Sequence, residues 1–250
     1  MKTEWDYTGL AAAYVNRPGY APDAIDRMLH AFGATPGQRV CDIGAGVGHL
    51  TIMLAQRGMV VVAAEPNDDM RRLGAERCKS LSSVAFFEAS AEQTGLADAF
   101  FDFVTFGSSF NVTDRPRALQ ETARILKSHG WFGAMWNHRD LDDPVQSAIE
   151  QIIMSSIPDY GYGTRREDQT EVINESGLFG PVERVEGKVH HTQSIEEVVA
   201  AWRSHATLQR QAKDRFTSVV AEIADYLAGL GQPSIEIPYT TRIWIAQKLT

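Results

Sequence analysis

Hydrophobic and polar positions change their period several times along the 250 residues. Between positions 38 and 136, short runs rich in β-branched and aromatic residues (39–43, 59–64, 84–88, 101–106 and 131–136) alternate with stretches whose apolar residues recur every three or four positions. That rhythm predicts five strands joined through helices, hence a mostly parallel, doubly wound α/β sheet covered on both faces. The helices mark their own ends. The first begins near Gly48 and stops at Gly58, where a residue without a Cβ suits a left-handed helix end. A second covers about 68–79, and a later one has Asp114 to cap it, Pro116 in its first turn, and Leu119, Ala123 and Leu126 along one side.

After Trp136 the rhythm changes. Val145, Ala148, Ile149, Ile152, Ile153 and Ile157 stand at helical spacing, and Pro158 then ends that helix. Two longer β-like segments, 181–193 and 235–246, predict an antiparallel pair at one sheet edge. Helical patterns at 195–208 and 216–230 lie between them, too long for a hairpin connection, and are expected to fold as a cap over one end of the sheet. The organisation expected is an N-terminal helical lid at 1–36, a core built from 37–193 and 234–250, and a helical cap insertion at 194–233.

Composition narrows the function classes. With 44% hydrophobic and 22% charged residues the chain is globular rather than disordered. Its 24 Lys+Arg against 32 Asp+Glu give a net charge of -8, a field that repels polyanions, so a small or carrier-borne substrate is expected and nucleic acid is not. The first residues, MKTEWDYTGL, hold charges and no apolar secretory segment, and no apolar run is long enough for a bilayer. Cys41 and Cys78 neither form a close pair nor stand with histidines at metal-ligand spacing. A protein with no metal and no membrane span, in a reduced cytoplasmic setting, is the expectation.

Candidate chemistry is concentrated in VCDIGAGVGH, residues 40–49. Gly44, Gly46 and Gly48, following the first strand, allow a sharp turn and close approach of a ligand to the backbone, and the next helix offers unpaired N–H groups. A dinucleotide fingerprint counted from Gly44 requires glycine or alanine at position 49, where the chain has His49. Glu65, at the end of the second strand, is placed to accept hydrogen bonds from a ribose diol, a geometry that fits an adenosine ligand without selecting which one.

The form D-x-G-x-G-x-G resembles the first motif of the class I S-adenosylmethionine-dependent methyltransferases, within them the methyltransferase-11-like small-molecule subfamily. The resemblance runs in order through about 40–137 and implies a Rossmann-like fold. It implies that Asp42 lies beside the cofactor's methionine amino group, that Gly44, Ala45 and Gly46 line its carboxylate and ribose, and that Glu65 and Pro66 contact the adenosine. It further implies Ser90, Ala91 and Glu92 around the adenine, and Gly107 against the cofactor after the fourth strand. The chain departs from the pattern at Asn111, where many relatives have histidine, and at 127–130, where Lys-Ser-His-Gly replaces Lys-Pro-Gly-Gly in a turn. Relatives often begin with a Tyr-bearing helix and an Arg-Pro stretch, which implies that Tyr14 and Arg17 form a lid or contact the methionine carboxylate; plain packing is the alternative.

Ligands of open α/β sheets bind beyond the carboxyl ends of the strands, so Asn111, Asn137 and His138 are the candidates to face an acceptor. His138 is either a general base, given an ordinary pKa near neutrality, or a loop histidine. Tyr7, and Tyr160 and Tyr162 on either side of Gly161, are candidate substrate contacts. His190 and His191 point to opposite faces of a strand and cannot share a metal, and His205 is expected on the surface of a cap helix. The leading expectation is methyl transfer from S-adenosyl-L-methionine, leaving S-adenosyl-L-homocysteine, to an oxygen, nitrogen or carbon of a small metabolite, as in secondary metabolism. A nicotinamide-dependent oxidoreductase and a non-catalytic cofactor-binding subunit or regulator are the competing readings.

Overall fold

A computed structural model describes residues 11–250, so Tyr7 lies outside the described residues. Within them one sheet holds β1 (Arg39–Ile43), β2 (Val60–Ala64), β3 (Val84–Phe87), β4 (Phe101–Gly107), β5 (Leu126–Arg139), β6 (Glu183–Ser194) and β7 (Ser234–Gln247), in the order β3-β2-β1-β4-β5-β7-β6. The first five strands pair in parallel, while β7 is antiparallel to both β5 and β6. The expected parallel core with an antiparallel edge pair is what forms, with the last strand of the chain inserted between β5 and β6.

Alternation along the strands divides the apolar residues between two faces. Cys41, Val104, Phe106, Phe132 and Trp136 face one side, where Ala118 and Leu119 of α5 (Arg115–Ile125) and Ile173 of α7 (Thr170–Glu175) cover them. Val40, Val61, Phe103, Met135 and Ile243 face the other, against Ile25 and Met28 of α2 (Pro22–Ala31) and Leu50 and Leu54 of α3 (His49–Ala55). Helix α2 therefore covers the sheet, whereas, among the described residues of the N-terminal segment, α1 (Ala11–Val15) and the residues just after it run over the strand ends. The helix starts are fixed by side chains. Asn67 accepts from the Met70 N–H at the head of α4 (Asp68–Arg77) and Asp114 from the Arg117 N–H at the head of α5, each worth about 1 kcal/mol.

The cap has its own core. Ile149 and Ile153 of α6 (Pro144–Ser156) pack with Val198 and Trp202 of α8 (Ile195–Arg203), Leu208 of α9 (Ala206–Ala212) and Ile223 and Leu227 of α10 (Phe216–Gly229). The cap thus takes in α6, which precedes the 194–233 insertion expected to form it.

Strand β5 is longer at both ends than the expected 131–136. Its start pairs Leu126 with Phe101 and then Trp131 with Phe103, so residues 127–130 bulge out between these pairs as the expected turn, with His129 left-handed at φ +61°, and a Cβ on Gly130 would lie 2.9 Å from the Asp102 carbonyl oxygen. At the other end β7 pairs it onward, with Asn137 opposite Thr241, His138 opposite Thr240 and Arg139 opposite Tyr239. No helix among the described residues is long and apolar enough to cross a membrane.

Candidate active site

Strand order reverses between β1 and β4, and a crevice opens beyond the carboxyl ends at such a switch point. Here it is a cavity of about 1030 Å³ running from the glycine loop to the cap. That lies at the upper end of the range for one small-molecule pocket and leaves room for two ligands side by side.

The loop after β1 is a left-handed backbone at Gly44 (φ +67°) and Gly46 (φ +55°). A Cβ on Gly44 would stand 2.4 Å from the Ser109 Cβ, whereas one on Gly46 would meet nothing within 4 Å. Gly44 is therefore glycine for packing and Gly46 for the open space above it. Ser109, whose hydroxyl donates to the Ile43 carbonyl at 2.6 Å, props the turn from below. The Gly46 N–H donates to Glu65 Oε2 and the Asn67 N–H to Glu65 Oε1, both at 2.8 Å. Burial raises the Glu65 carboxyl above its ordinary value, and these two N–H groups oppose it. Each oxygen keeps a lone pair for a ligand.

Asp42 is fully buried at the end of β1. The Thr51 hydroxyl donates to its Oδ2 at 2.6 Å and the Thr105 hydroxyl to its Oδ1 at 3.2 Å. Burial pushes its carboxyl up to about 7, the two hydroxyls lower it, and the Glu65 charge raises it further. The two threonines had no signal in the sequence, because Thr51 reaches Asp42 across the first turn of α3 and Thr105 from the neighbouring strand.

Tyr14, Arg17, Asp42, Gly44, Ala45, Gly46, Glu65, Pro66, Ser90, Ala91, Glu92 and Gly107 all line the cavity. Glu92 also accepts the Asp114 N–H at 2.9 Å, tying the loop after β3 to the head of α5. Next to Gly107, the Ser108 and Tyr20 hydroxyls lie 2.9 Å apart. The Arg17 guanidinium sits 3.6 Å above the Tyr14 ring, and His49 Nε2 lies 2.8 Å from the Tyr14 carbonyl oxygen. The bulky residue that breaks the dinucleotide fingerprint thus fastens the N-terminal segment to the loop.

On the acceptor side, Asn111 and Asn137 line the cavity and are held by other groups. The Trp136 indole N–H donates to Asn111 Oδ1 at 2.9 Å; the Thr241 hydroxyl donates to Asn137 Oδ1 at 2.6 Å, and Asn137 Nδ2 donates to the Gly19 carbonyl at 2.8 Å.

Three expectations on this side need correction. His138 does not line the large cavity: β5 continues to Arg139, so alternation turns His138 to the face of Trp136, buried 3.4 Å from Arg242 Nη1 and against a separate, smaller cavity. Of the two tyrosines expected at the mouth, Tyr160 is buried in the cap core, edge-on to Tyr162 with centroids 5.1 Å apart, whereas Tyr162 lines the cavity as expected. His205 is not a surface residue of a helix; it caps α9 through Nδ1, which accepts the Leu208 N–H at 3.2 Å, and its ring stacks on Trp202 in the cavity wall. Tyr20, Arg139, Arg166 and Tyr239 also line the cavity without having been singled out from the sequence as site residues.

Known proteins share segments of this sequence and its fold. A family model described as a methyltransferase domain matches residues 41–134. The uncharacterized methyltransferase Rv3342 of Mycobacterium tuberculosis is 40% identical over 124 residues, 50% of this chain and 48% of that protein. The ubiquinone/menaquinone biosynthesis C-methyltransferase UbiE of Vibrio vulnificus is 30% identical over 168 residues, 62% of this chain and 64% of that protein. The chain thus spans about half the length of the first of these relatives and somewhat under two thirds of the second. Among solved structures, a candidate type II methyltransferase from Anaeromyxobacter dehalogenans shares the fold with a TM-score of 0.66 at 21% identity, over 92% of this chain and 97% of that one. The phosphoethanolamine N-methyltransferase 2 of Haemonchus contortus, solved with S-adenosyl-L-methionine, does so with a TM-score of 0.57 at 17% identity, over 100% of this chain and 59% of that one. Residues 41–134 thus match a methyltransferase domain, and the fold around them is shared with solved methyltransferases.

Proposed function

We propose that this chain transfers the methyl group of S-adenosyl-L-methionine to a nucleophilic atom of a small organic metabolite. The observation that carries the reading is the cradle at the switch point: an open face above Gly46, the Glu65 carboxylate fixed beside it by two backbone N–H groups, and Asp42 buried one turn away. When bound, the cofactor supplies a methyl activated by a sulfonium and a neutral thioether leaving group.

The protein's own residues then bind, orient and exclude water. The remaining Glu65 lone pairs accept the ribose hydroxyls. Asp42 would accept from the amino group of the methionine end, whose positive charge would favour the ionised carboxylate and draw it back below about 7. Arg17, stacked on Tyr14, covers that end of the cavity and offers a guanidinium to the carboxylate. At the end of β4, the paired Tyr20 and Ser108 hydroxyls and the fixed Asn111 and Asn137 amides bound the place where an acceptor meets the methyl.

Rate then comes chiefly from holding the reactants in line, and a general base matters only for an acceptor that arrives protonated. His205 is the imidazole in the cap wall of the cavity, and its Nδ1 accepts a backbone N–H, which leaves the proton of the neutral ring on Nε2.

Calorimetric titration tests the reading: S-adenosyl-L-methionine binds and reduced nicotinamide cofactors do not. The reverse result would overturn it in favour of an oxidoreductase. Transfer of label from methyl-labelled cofactor to a small metabolite distinguishes an enzyme from a cofactor-binding regulator.

A further inference from the structure

We propose that the acceptor half of the cavity recognises its metabolite by an oxyanion, a carboxylate or phosphate, gripped by Arg139 and Arg166. The inference rests on the methyltransferase reading for the identity of the other half. Arg139 ends β5, and Arg166 ends the 3₁₀ turn Gly163–Arg166. Both line the large cavity and both also line the smaller one of about 230 Å³, so they stand together in the wall between the two.

Each guanidinium is held by an aromatic face: Arg139 Cζ lies 4.4 Å from the Trp202 centroid and 5.9 Å from that of Tyr239, and Arg166 Cζ lies 3.7 Å from that of Tyr162. The Nε of each is buried without a hydrogen-bond partner among the described residues. No carboxylate of the described residues pairs with either side chain, whereas Arg57, Arg71, Arg124 and Arg184 each meet an aspartate. Asp142 lines the smaller cavity and is ion-paired with neither arginine, and three further acids of this region have other partners. Asp140 lies 3.7 Å from Lys188 Nζ, Glu150 accepts the Tyr162 hydroxyl, and Glu197 closes the capping box of α8.

A buried cationic N–H without an acceptor is costly, and two of them side by side in a chain of net charge -8 form a local exception that a ligand's negative charge would relieve. The planar guanidinium fork matches carboxylate and phosphate oxygens, and the aromatic faces fix its plane in advance. The cofactor's own carboxylate belongs elsewhere, because β4 separates β5 from β1 and its glycine loop, where Arg17 is the near cation. Tyr162 and Tyr239 with Ala200 and Ala201 add a flat, largely apolar wall suited to a planar body attached to the anion.

The test titrates the full chain, with and without S-adenosyl-L-homocysteine, with benzoate, phenyl phosphate and neutral benzamide. At least one oxyanion should bind roughly 10- to 100-fold tighter than benzamide, as expected for charge-assisted hydrogen bonds, and the tighter of the two names the source chemistry. Arg139→Gln and Arg166→Gln should each abolish most of that preference while the affinity for S-adenosyl-L-homocysteine and the melting temperature hold. If a glutamine variant does not fold, Arg139→Lys and Arg166→Lys, which keep the charge and lose the fork, should lower the preference several-fold. Equal binding of benzamide, a preference that survives in folded variants, or no probe binding at millimolar concentration overturns the proposal. Failure of the wild-type chain to bind S-adenosyl-L-homocysteine is a separate result that refutes the methyltransferase reading, and the titrations without it still decide the oxyanion preference.

Discussion

Replacing Asp42 with asparagine removes a charge that the folded chain buries among hydroxyls. The Asp42 side chain has no exposure, and among the described residues its hydrogen-bond partners are the Thr51 and Thr105 hydroxyls. Its carboxyl stands at about 7 instead of 3.8, so the folded state holds the proton more tightly than the unfolded one. This group's contribution to stability is therefore fully present below about pH 4 and is lost as pH rises through about 7. At pH 8 the ionised carboxylate costs about 4 kcal/mol, from 1.36 kcal/mol per tenfold change in acidity.

Asparagine carries no such charge. It keeps an acceptor for one hydroxyl and donates to the other after that hydroxyl turns, at some loss of geometry. Ligand-free Asp42→Asn should therefore exceed the wild type by about 1–3 kcal/mol at pH 8, a rise in melting temperature of roughly 3–9 °C for a chain of this size. Between pH 8 and pH 5 the advantage should shrink by about 2–3 kcal/mol and disappear. Thermal melts followed by circular dichroism at both pH values measure it. A variant that melts below wild type at pH 8, or whose advantage is equal at the two pH values, would refute the reasoning. The same variant should bind S-adenosyl-L-methionine about tenfold more weakly, through loss of a charged acceptor for its amino group.

The two left-handed loop glycines should separate folding from binding. Gly44→Ala drives a Cβ to 2.4 Å from the Ser109 Cβ and should destabilise the chain by about 2–3 kcal/mol in denaturant melts. Gly46→Ala meets no atom within 4 Å and should lose about 1 kcal/mol of stability for its backbone, yet forfeit most cofactor affinity because the new methyl points into the cradle. Glu121 offers the opposite pH signature to Asp42. Burial would raise its carboxyl, but Arg124 and the Thr94 hydroxyl and N–H overcome this and hold it at about 2, so its contribution is present above about pH 4.5 and lost as pH falls through about 2. Glu121→Gln should cost about 2–3 kcal/mol at pH 7 and progressively less as pH falls below 4.5.

What could be read from the sequence was whatever local pattern determines. β1 to β4 fall within a residue of their expected bounds, because each is a short apolar run closed by turn residues, and Asp114 caps its helix as its place before Pro116 predicts. The glycine loop, Glu65 and the small residues after β3 and β4 were legible because motif spacing along the chain carries them to one end of a parallel sheet. On the acceptor side Asn111, Asn137 and Tyr162 were legible, but Arg139 and the orientation of His138 were not, because that side is built by pairing across a hundred residues. β7 extends β5 to Arg139 and so decides that Asn137 and Arg139 face the cavity and His138 the other side, and no period within the 131–139 segment announces that partner. His205 reaches the cavity and Tyr160 misses it for a similar reason: helices α6, α8, α9 and α10 pack into one cap core, and its packing sets which side chains are left facing inwards.

The central claim is that Glu65 and the loop above Gly46 form the adenosine-methionine site. A crystal structure of the chain grown with S-adenosyl-L-homocysteine tests it most directly. The ligand is expected in the large cavity with its ribose hydroxyls on the two Glu65 oxygens and its amino group towards Asp42. Ligand density elsewhere, or a ribose away from Glu65 in a well-ordered complex, would contradict it.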